Sequence, residues 1–358
     1  MAKTYVICID GTWNAPGQKD RDPVTGEEAK TQTNVMKTWE ALTGCELDIE
    51  APYGTIGALT WGEGAALYLN GVGSTGVKIA RTLNGATGTG TSERIRDAYR
   101  FLAERYETGD KVFGFGFSRG AFALRSLVGF IEAVGLPSHP SLVKEDELHS
   151  LYTRYQMQTE VALPERARKC RFDFVGLWDS VGALSFGETF NNFHKLSPTN
   201  VDVVCHALAL DEQRSQFRPE FYISNSATPI VEEVWFAGVH TNVGGGYVDP
   251  NLSNIAFFWM LRKAQEYGLG LSRLDGVGGW NDERYDVGQR PSYKEFWGGI
   301  PILGSIVEKI GSFKIERYIL DHHKIHESVI DAEPNGYVPV AKSRSGIAFN
   351  TRIEKWGF

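Results

Sequence analysis

KVFGFGFSRGAFALRSLVGFIEA, residues 111–133, is the stretch on which the fold turns. Lys111 to Gly116 alternates apolar residues with glycine and reads as a strand, and Ala121 to Ala133 reads as a helix stopped by Gly135 and Pro137. Between them lies Gly116-Phe117-Ser118-Arg119-Gly120, a G-x-S-x-G pentapeptide. Small residues on both sides of a serine at a strand-to-helix turn let that serine sit on a sharp, strained bend with its hydroxyl exposed. Because the turn opens a helix, the backbone N–H of Arg119 faces the place where an oxyanion would form, and the helix dipole favours negative charge there.

A serine hydroxyl needs a base, and in α/β-hydrolases the chain order is Ser, then Asp or Glu, then His. Two further apolar runs, Phe172 to Trp178 and Val234 to Val239, read as strands and end in Asp179 and His240. Ligands gather at such strand ends in open parallel sheets. His240 precedes the flexible loop Thr241 to Tyr247, so it is the expected general base. It competes with His139, His149, His194, His206, His322, His323 and His326, of which His206 reads as helical. Asp179 is the expected orienting acid, against Asp211 in the helix-like stretch ALALDE, Asp173 inside a strand, and the plainer reading of Asp179 as a helix cap.

The first run, Tyr5 to Ile9, reads as a buried parallel strand that ends in Asp10-Gly11-Thr12-Trp13-Asn14. That loop is the expected second oxyanion donor, through the N–H of Gly11 or Thr12, with Asp10 bracing it against Arg119. For each of these residues a simple strand-terminating turn is an equal alternative. Residues 14 to 70 read as polar surface loops around one helix near Val35 to Leu42, and a second helix carries Ile95, Ala98, Leu102 and Tyr106 at helical spacing. A helix from about Asn254 to Tyr267 follows the His240 loop. Two motifs lead elsewhere and fail. NGATGTGTS (84–92) approximates a phosphate-binding loop without its lysine, and Asp10-Gly11-Thr12 approximates an aspartyl-phosphate motif with Cys8 in the place of the nucleophile.

Strands alternating with helices imply an α/β layered fold with a mostly parallel sheet, in one domain over residues 1–358. The 40 glycines, about 11% of the chain against a usual ~7%, fit many tight turns. A net charge of -7 argues against nucleic acid as a partner. Cys8, Cys45, Cys170 and Cys205 lie far apart with no C-x-x-C pair, so no metal site or disulfide framework is expected. No cofactor is implied. Without a signal-peptide pattern or an apolar run of spanning length, the expected location is the cytoplasm of the producing cell, with any membrane contact peripheral.

In order along the chain stand CIDGTWN (8–14), TNV (33–35), GVGSTG (71–76), GFSRGAF (116–122), GLWDSVGA (176–183), ALALDEQR (207–214), VWFAGVHTNVGGGY (234–247) and HESV (326–329). This colinear set resembles the catalytic domain of the bacterial type VI secretion phospholipase effectors, a family of divergent α/β-hydrolases. The resemblance implies a triad of Ser118, Asp179 and His240, a lipid-ester substrate, delivery to another compartment by a non-classical route, and a cognate immunity protein as partner. It departs at Asn242, where the family pattern has aspartate.

The sequence therefore predicts a serine hydrolase of carboxylic esters, with lipid or phospholipid acyl esters as substrates and an acyl-enzyme on Ser118. The alternatives are a non-lipid esterase, or a binding module that keeps the fold without catalysis. Residues 270 to 325 fit the strand-helix pattern poorly and read as a lid or surface insertion. Within them Phe296 to Phe313, with Ile302, Leu303, Ile306, Val307 and Ile310 in one stripe, reads as a lid or membrane contact, or else as a core-facing helix.

Overall fold

The computed structural model describes residues 2–22, 25–47, 55–61, 64–73, 89–138, 144–157, 167–182, 199–222, 230–271, 317–320, 322–332, 339, 342–343 and 353–354. Its elements run β1 (Thr4–Ile9), β2 (Lys19–Arg21), β3 (Glu28–Lys30), α1 (Asn34–Thr43), β4 (Thr55–Trp61), β5 (Gly64–Leu69), α2 (Thr89–Arg105), β6 (Lys111–Phe117), α3 (Arg119–Val134) and α4 (Glu145–Gln156). They continue with β7 (Phe172–Trp178), β8 (Val201–Ala209), β9 (Ile230–Phe236), α5 (His240–Gly244), α6 (Asn251–Glu266), β10 (Tyr318–Ile319), β11 (Lys324–His326), α7 (Glu327–Ala332), β12 (Lys342–Ser343) and β13 (Ile353–Glu354). Among the described residues the main sheet has the order β13-β11-β9-β8-β7-β6-β1-β5-β4. Every neighbouring pair is parallel except β4 with β5. The chain leaves β1 for β5 on one side and returns to β6 on the other. In open α/β sheets such a reversal marks the place, at the carboxyl ends of the strands, where ligands bind.

Side-chain alternation along the strands builds two cores. Val6 and Cys8 of β1, with Phe113, Phe115 and Phe117 of β6, join one cluster with α1 and α6. Tyr5, Ile7 and Ile9 of β1, with Val112 of β6, join the other with α2, α3 and α4. On β6 the phenylalanines take one face and glycines the other, because α3 lies too close for a side chain. A Cβ on Gly114 would stand 2.7 Å from Leu124 Cδ1, and one on Gly116 would stand 2.7 Å from Ala121 Cα.

Three expectations are corrected. Residues 14 to 70 are more than loops, since β4 and β5 extend the main sheet and β5 is almost wholly buried beside β1. GAALYL carries little intrinsic strand preference, and pairing with β1 decides it. His206 and Ala207 to Ala209 are strand and not helix: β8 is hydrogen-bonded on both sides and buried almost throughout, so it lacks the alternation that marks a half-exposed strand. Finally, Arg317 and the residues just after it do not behave as a surface insertion, since Arg317 is buried and Lys324 and Ile325 pair with β9. Residues 272–316, including the Phe296 to Phe313 segment, lie outside the described residues. No helix among the described residues is long and apolar enough to cross a membrane.

Candidate active site

The strand β6 ends in Phe117, and Ser118 turns the chain into α3 with φ 57° and ψ −125°, a left-handed conformation that costs a non-glycine residue on the order of 1–3 kcal/mol. Packing holds it there. The Ser118 N–H donates to the Trp178 carbonyl at 3.0 Å, and the Ser118 carbonyl accepts from Phe122 N at 3.2 Å and Val181 N at 3.4 Å. The turn is also pressed against the end of β1, because a Cβ on Gly120 would collide with the carbonyl oxygens of Ile9 and Asp10. Gly120→Ala is therefore expected to cost at least about 1–3 kcal/mol, read as a melting temperature lowered by several degrees; an unchanged melting temperature would contradict this account of the turn.

Asp179 follows β7 directly, also with positive φ (40°), and is completely buried. His240 opens the short helix α5 and is 4% exposed. Its Nδ1 lies 2.6 Å from Asp179 Oδ2, which assigns the Nδ1 proton to that bond and leaves Nε2 as the basic nitrogen. Phe117 packs beside the imidazole at 4.6 Å between ring centroids, and Phe217 meets it edge-on at 4.7 Å. Among the described residues no hydrogen bond engages the Ser118 hydroxyl, and Ser118 approaches His240 through its neighbour Phe117 rather than through a bond of its own. Asn242 has a local duty: its Oδ1 accepts the Val239 N–H at 3.2 Å and caps α5.

The rival residues have other work. Asp211 Oδ2 accepts the Gly238 N–H at 2.6 Å, and Asp173 Oδ2 accepts the Val112 N–H at 2.8 Å. His149 is on α4, exposed. His139 and His194 lie outside the described residues. His206 accepts the Ser180 N–H on Nε2 at 3.0 Å and faces Glu233 through Nδ1 at 3.1 Å. His326 pairs with the Ser328 hydroxyl at 2.9 Å.

The loop after β1 lies against the serine, since a Cβ on Gly11 would stand 3.1 Å from Ser118 Cβ. Its N–H groups are unequally committed. Gly11 donates to Asp10 Oδ1 at 2.7 Å, Trp13 to the Val72 carbonyl at 2.9 Å, and Asn14 to the Gly11 carbonyl at 3.0 Å. Among the described residues the Thr12 N–H alone in this run has no protein acceptor. Asp10 is braced by the hydroxyls of Thr33 and Tyr68, each at 2.7 Å. Burial still pushes its carboxyl up to about 6, with those bonds and the Gly11 N–H opposing. The expected partner Arg119 instead lies over the Trp13 ring, 5.5 Å from its centroid. Trp13 is itself 38% exposed with φ 66°.

Three charged residues near the imidazole had no place in the sequence-based site. Arg317 forks onto Asp179, with Nη1 2.6 Å from Oδ1 and Nη2 2.9 Å from Oδ2. Burial alone would raise the Asp179 carboxyl, but Arg317 and the bond from His240 hold it well below the usual carboxylate range. Glu212 Oε2 accepts the His240 N–H at 3.3 Å and is bound by Arg214 at 2.8 Å. Burial holds the His240 imidazole below its ordinary value, with Asp179 opposing. Glu212 and Arg214 stand inside the motif ALALDEQR, so a signal for them was present. Arg317 stands 138 residues from Asp179 in sequence, in no recognisable pattern.

Glu233, His322 and His323 bring potential metal-ligand atoms within 4.8 Å of one another. The tautomers oppose a cation there. Indole N–H can only donate, so the 2.9 Å bond from Trp235 Nε1 makes His323 Nδ1 an acceptor and puts the proton on Nε2, which faces Glu233 at 2.9 Å. Glu233 Oε1 meanwhile accepts the Tyr222 N–H at 3.2 Å and faces His206 Nδ1 at 3.1 Å, so the group suits a buried polar cluster better than a metal centre.

Residues 3–263 match the family model described as the catalytic domain of type VI secretion, Tle1-like phospholipase effectors. The chain is 27% identical over 244 residues to the uncharacterised protein YEL023C of Saccharomyces cerevisiae, covering 60% of this chain and 32% of that one. Among solved structures it is similar to an uncharacterised protein from Pseudomonas aeruginosa (TM-score 0.44, 15% identity, 75% of this chain and 46% of that one). A second is the Tle1 effector bound to the VgrG spike of the type VI secretion system (TM-score 0.36, 18% identity, 69% and 51%). The chain thus spans about a third of the yeast relative and about half of each solved structure.

Proposed function

Because the chain belongs to the type VI secretion Tle1-like phospholipase effector family, as a catalytic domain, we propose that it is a serine hydrolase of phospholipid or related lipid acyl esters, acting through an acyl-enzyme on Ser118. One observation carries this reading. A serine strained at φ 57° stands at the end of β6, on the next strand to the buried Asp179, whose carboxylate holds His240 Nδ1 at 2.6 Å. Strain of this kind gathers at catalytic turns.

In the proposed reaction the Ser118 Oγ attacks the ester carbonyl and its proton passes to His240 Nε2. The N–H groups of Arg119 and Thr12 receive the oxyanion; Thr12 is preferred to Gly11, whose N–H is already bonded to Asp10. The leaving alcohol takes the proton from His240, and water then cleaves the acyl-enzyme by the same steps in reverse roles. The Ser118–His240 hydrogen bond closes when substrate enters, as catalytic contacts often do. The same membership supports synthesis in the cytoplasm, delivery to another compartment without a classical signal, and an immunity protein that protects the producer.

Labelling of Ser118 by a fluorophosphonate probe, followed by a hydrolysis panel of short-chain esters, triglycerides and phospholipids, tests the reading. Phospholipid turnover with labelling at Ser118 is expected. Turnover confined to short-chain esters would make it a non-lipid esterase, and absence of labelling and turnover would make it a binding module. The pH dependence gives a second check. Only the neutral imidazole accepts the serine proton, and burial lowers the His240 pKa from 6.5, so neutrality persists further into acid. The acid limb of kcat/KM, which reports the free enzyme, is expected to have its midpoint below pH 6.5. A midpoint near 7 or above would contradict it.

A further inference from the structure

We propose that Arg317 is a fourth member of the constellation, a positioning residue that clamps and neutralises Asp179 and so sets how far into acid hydrolysis persists. The inference rests on the triad reading above and adds a residue to it. The four acceptor positions of the Asp179 carboxylate are all taken: Oδ1 by Ala209 N at 3.0 Å and Arg317 Nη1 at 2.6 Å, Oδ2 by His240 Nδ1 at 2.6 Å and Arg317 Nη2 at 2.9 Å. The same guanidinium donates to two backbone carbonyls, Ala209 at 2.8 Å and Phe217 at 2.5 Å. Arg317 therefore ties the end of β7 to the end of β8 and to Phe217, whose ring meets the imidazole. A planar fork can hold a carboxylate and two carbonyls at once, which a lysine ammonium cannot match in direction.

The charge balance around His240 follows from these contacts. The turn after β8 supplies Glu212 and Arg214, paired with each other, and the end of β7 supplies Asp179, paired with Arg317. His206 of β8 and Glu233 of β9 lie behind Asp179, joined to it through the Ser180 N–H. The two carboxylates that touch His240 are thus each matched by a guanidinium, and a proton added to the imidazole becomes an uncompensated buried charge. Without Arg317 the same place carries a net negative charge, and the His240–Asp179 pair takes up a proton more readily, whichever of the two holds it.

The test compares the wild-type protein with Arg317→Gln and Arg317→Lys, measuring the rate of fluorophosphonate labelling at Ser118 across pH. Arg317→Gln is expected to move the acid limb upward by about one pH unit. Arg317→Lys, which keeps the charge but loses the fork, is expected to slow labelling with the limb near its wild-type place. Coincident limbs in wild type and Arg317→Gln would overturn the inference while leaving the triad reading intact; a wild type that is not labelled at Ser118 would overturn both. Should Arg317→Gln fail to fold, Arg317→Gln with Asp179→Asn is expected to recover soluble, cooperatively melting protein, because both buried charges are then gone. A double variant that fails as badly as the single one would reduce Arg317 to packing and overturn the proposal.

Discussion

Ser118→Ala is expected to lower turnover by about 10⁴ to 10⁶, the scale seen when the nucleophile of a serine triad is removed, while the melting temperature stays within a degree or two of wild type. The physical reason is that the side chain and the backbone of this residue have separate duties. The backbone N–H and carbonyl bind Trp178, Phe122 and Val181, and all three bonds survive the change. The hydroxyl takes part in no fold-holding hydrogen bond among the described residues. Alanine also accepts the positive φ about as well as serine does, since both carry the same Cβ. Hydrolysis of the best substrate by purified Ser118→Ala at a tenth of the wild-type rate or more would end the assignment of the nucleophile.

For Asp179→Asn the expected loss has two parts. Turnover should fall by roughly 10⁴, because the amide no longer selects the imidazole tautomer with its proton on Nδ1 or stabilises the imidazolium. Stability should fall as well, by about 3–5 kcal/mol, because Arg317 is left as a buried cation facing an uncharged amide. Asp211→Asn removes a carboxylate that accepts the Gly238 N–H, and its effect on turnover should be far smaller. Parallel kinetics and thermal melts of the two variants decide the matter. If Asp211→Asn proved the more damaging to turnover, the orienting acid would be Asp211 and the role given to Asp179 would be lost.

Much of this arrangement is legible in the chain because it is local. The strand, turn and helix at 111–134 are written in adjacent residues, with Gly116 and Gly120 marking where α3 and the end of β1 press on the turn. Asp179 and His240 are legible for a related reason: each follows a short apolar run, and the ends of parallel strands collect on one edge of the sheet. β5 was illegible because Ala, Gly and Leu in GAALYL do not favour a strand until β1 is beside them. His206 reads as helical in the sequence because β8, paired on both sides, is buried almost throughout and lacks strand alternation, which a helix segment of the same length imitates.

The order of Ser118, Asp179 and His240, the strained turn at the serine, and the parallel α/β layering all follow from the chain alone, since each depends on contacts within a few residues or on the direction of one strand; the exposed hydroxyl expected of that turn does not, because packing leaves Ser118 only 5% exposed. The commitment of Gly11 to Asp10, which leaves the Thr12 N–H open, and the fork of Arg317 on Asp179 are decided only in three dimensions. They depend on which groups hydrogen-bond after the strand ends have met, and a charge 138 residues away becomes the nearest cation to the acid only when β7 and β8 are folded side by side.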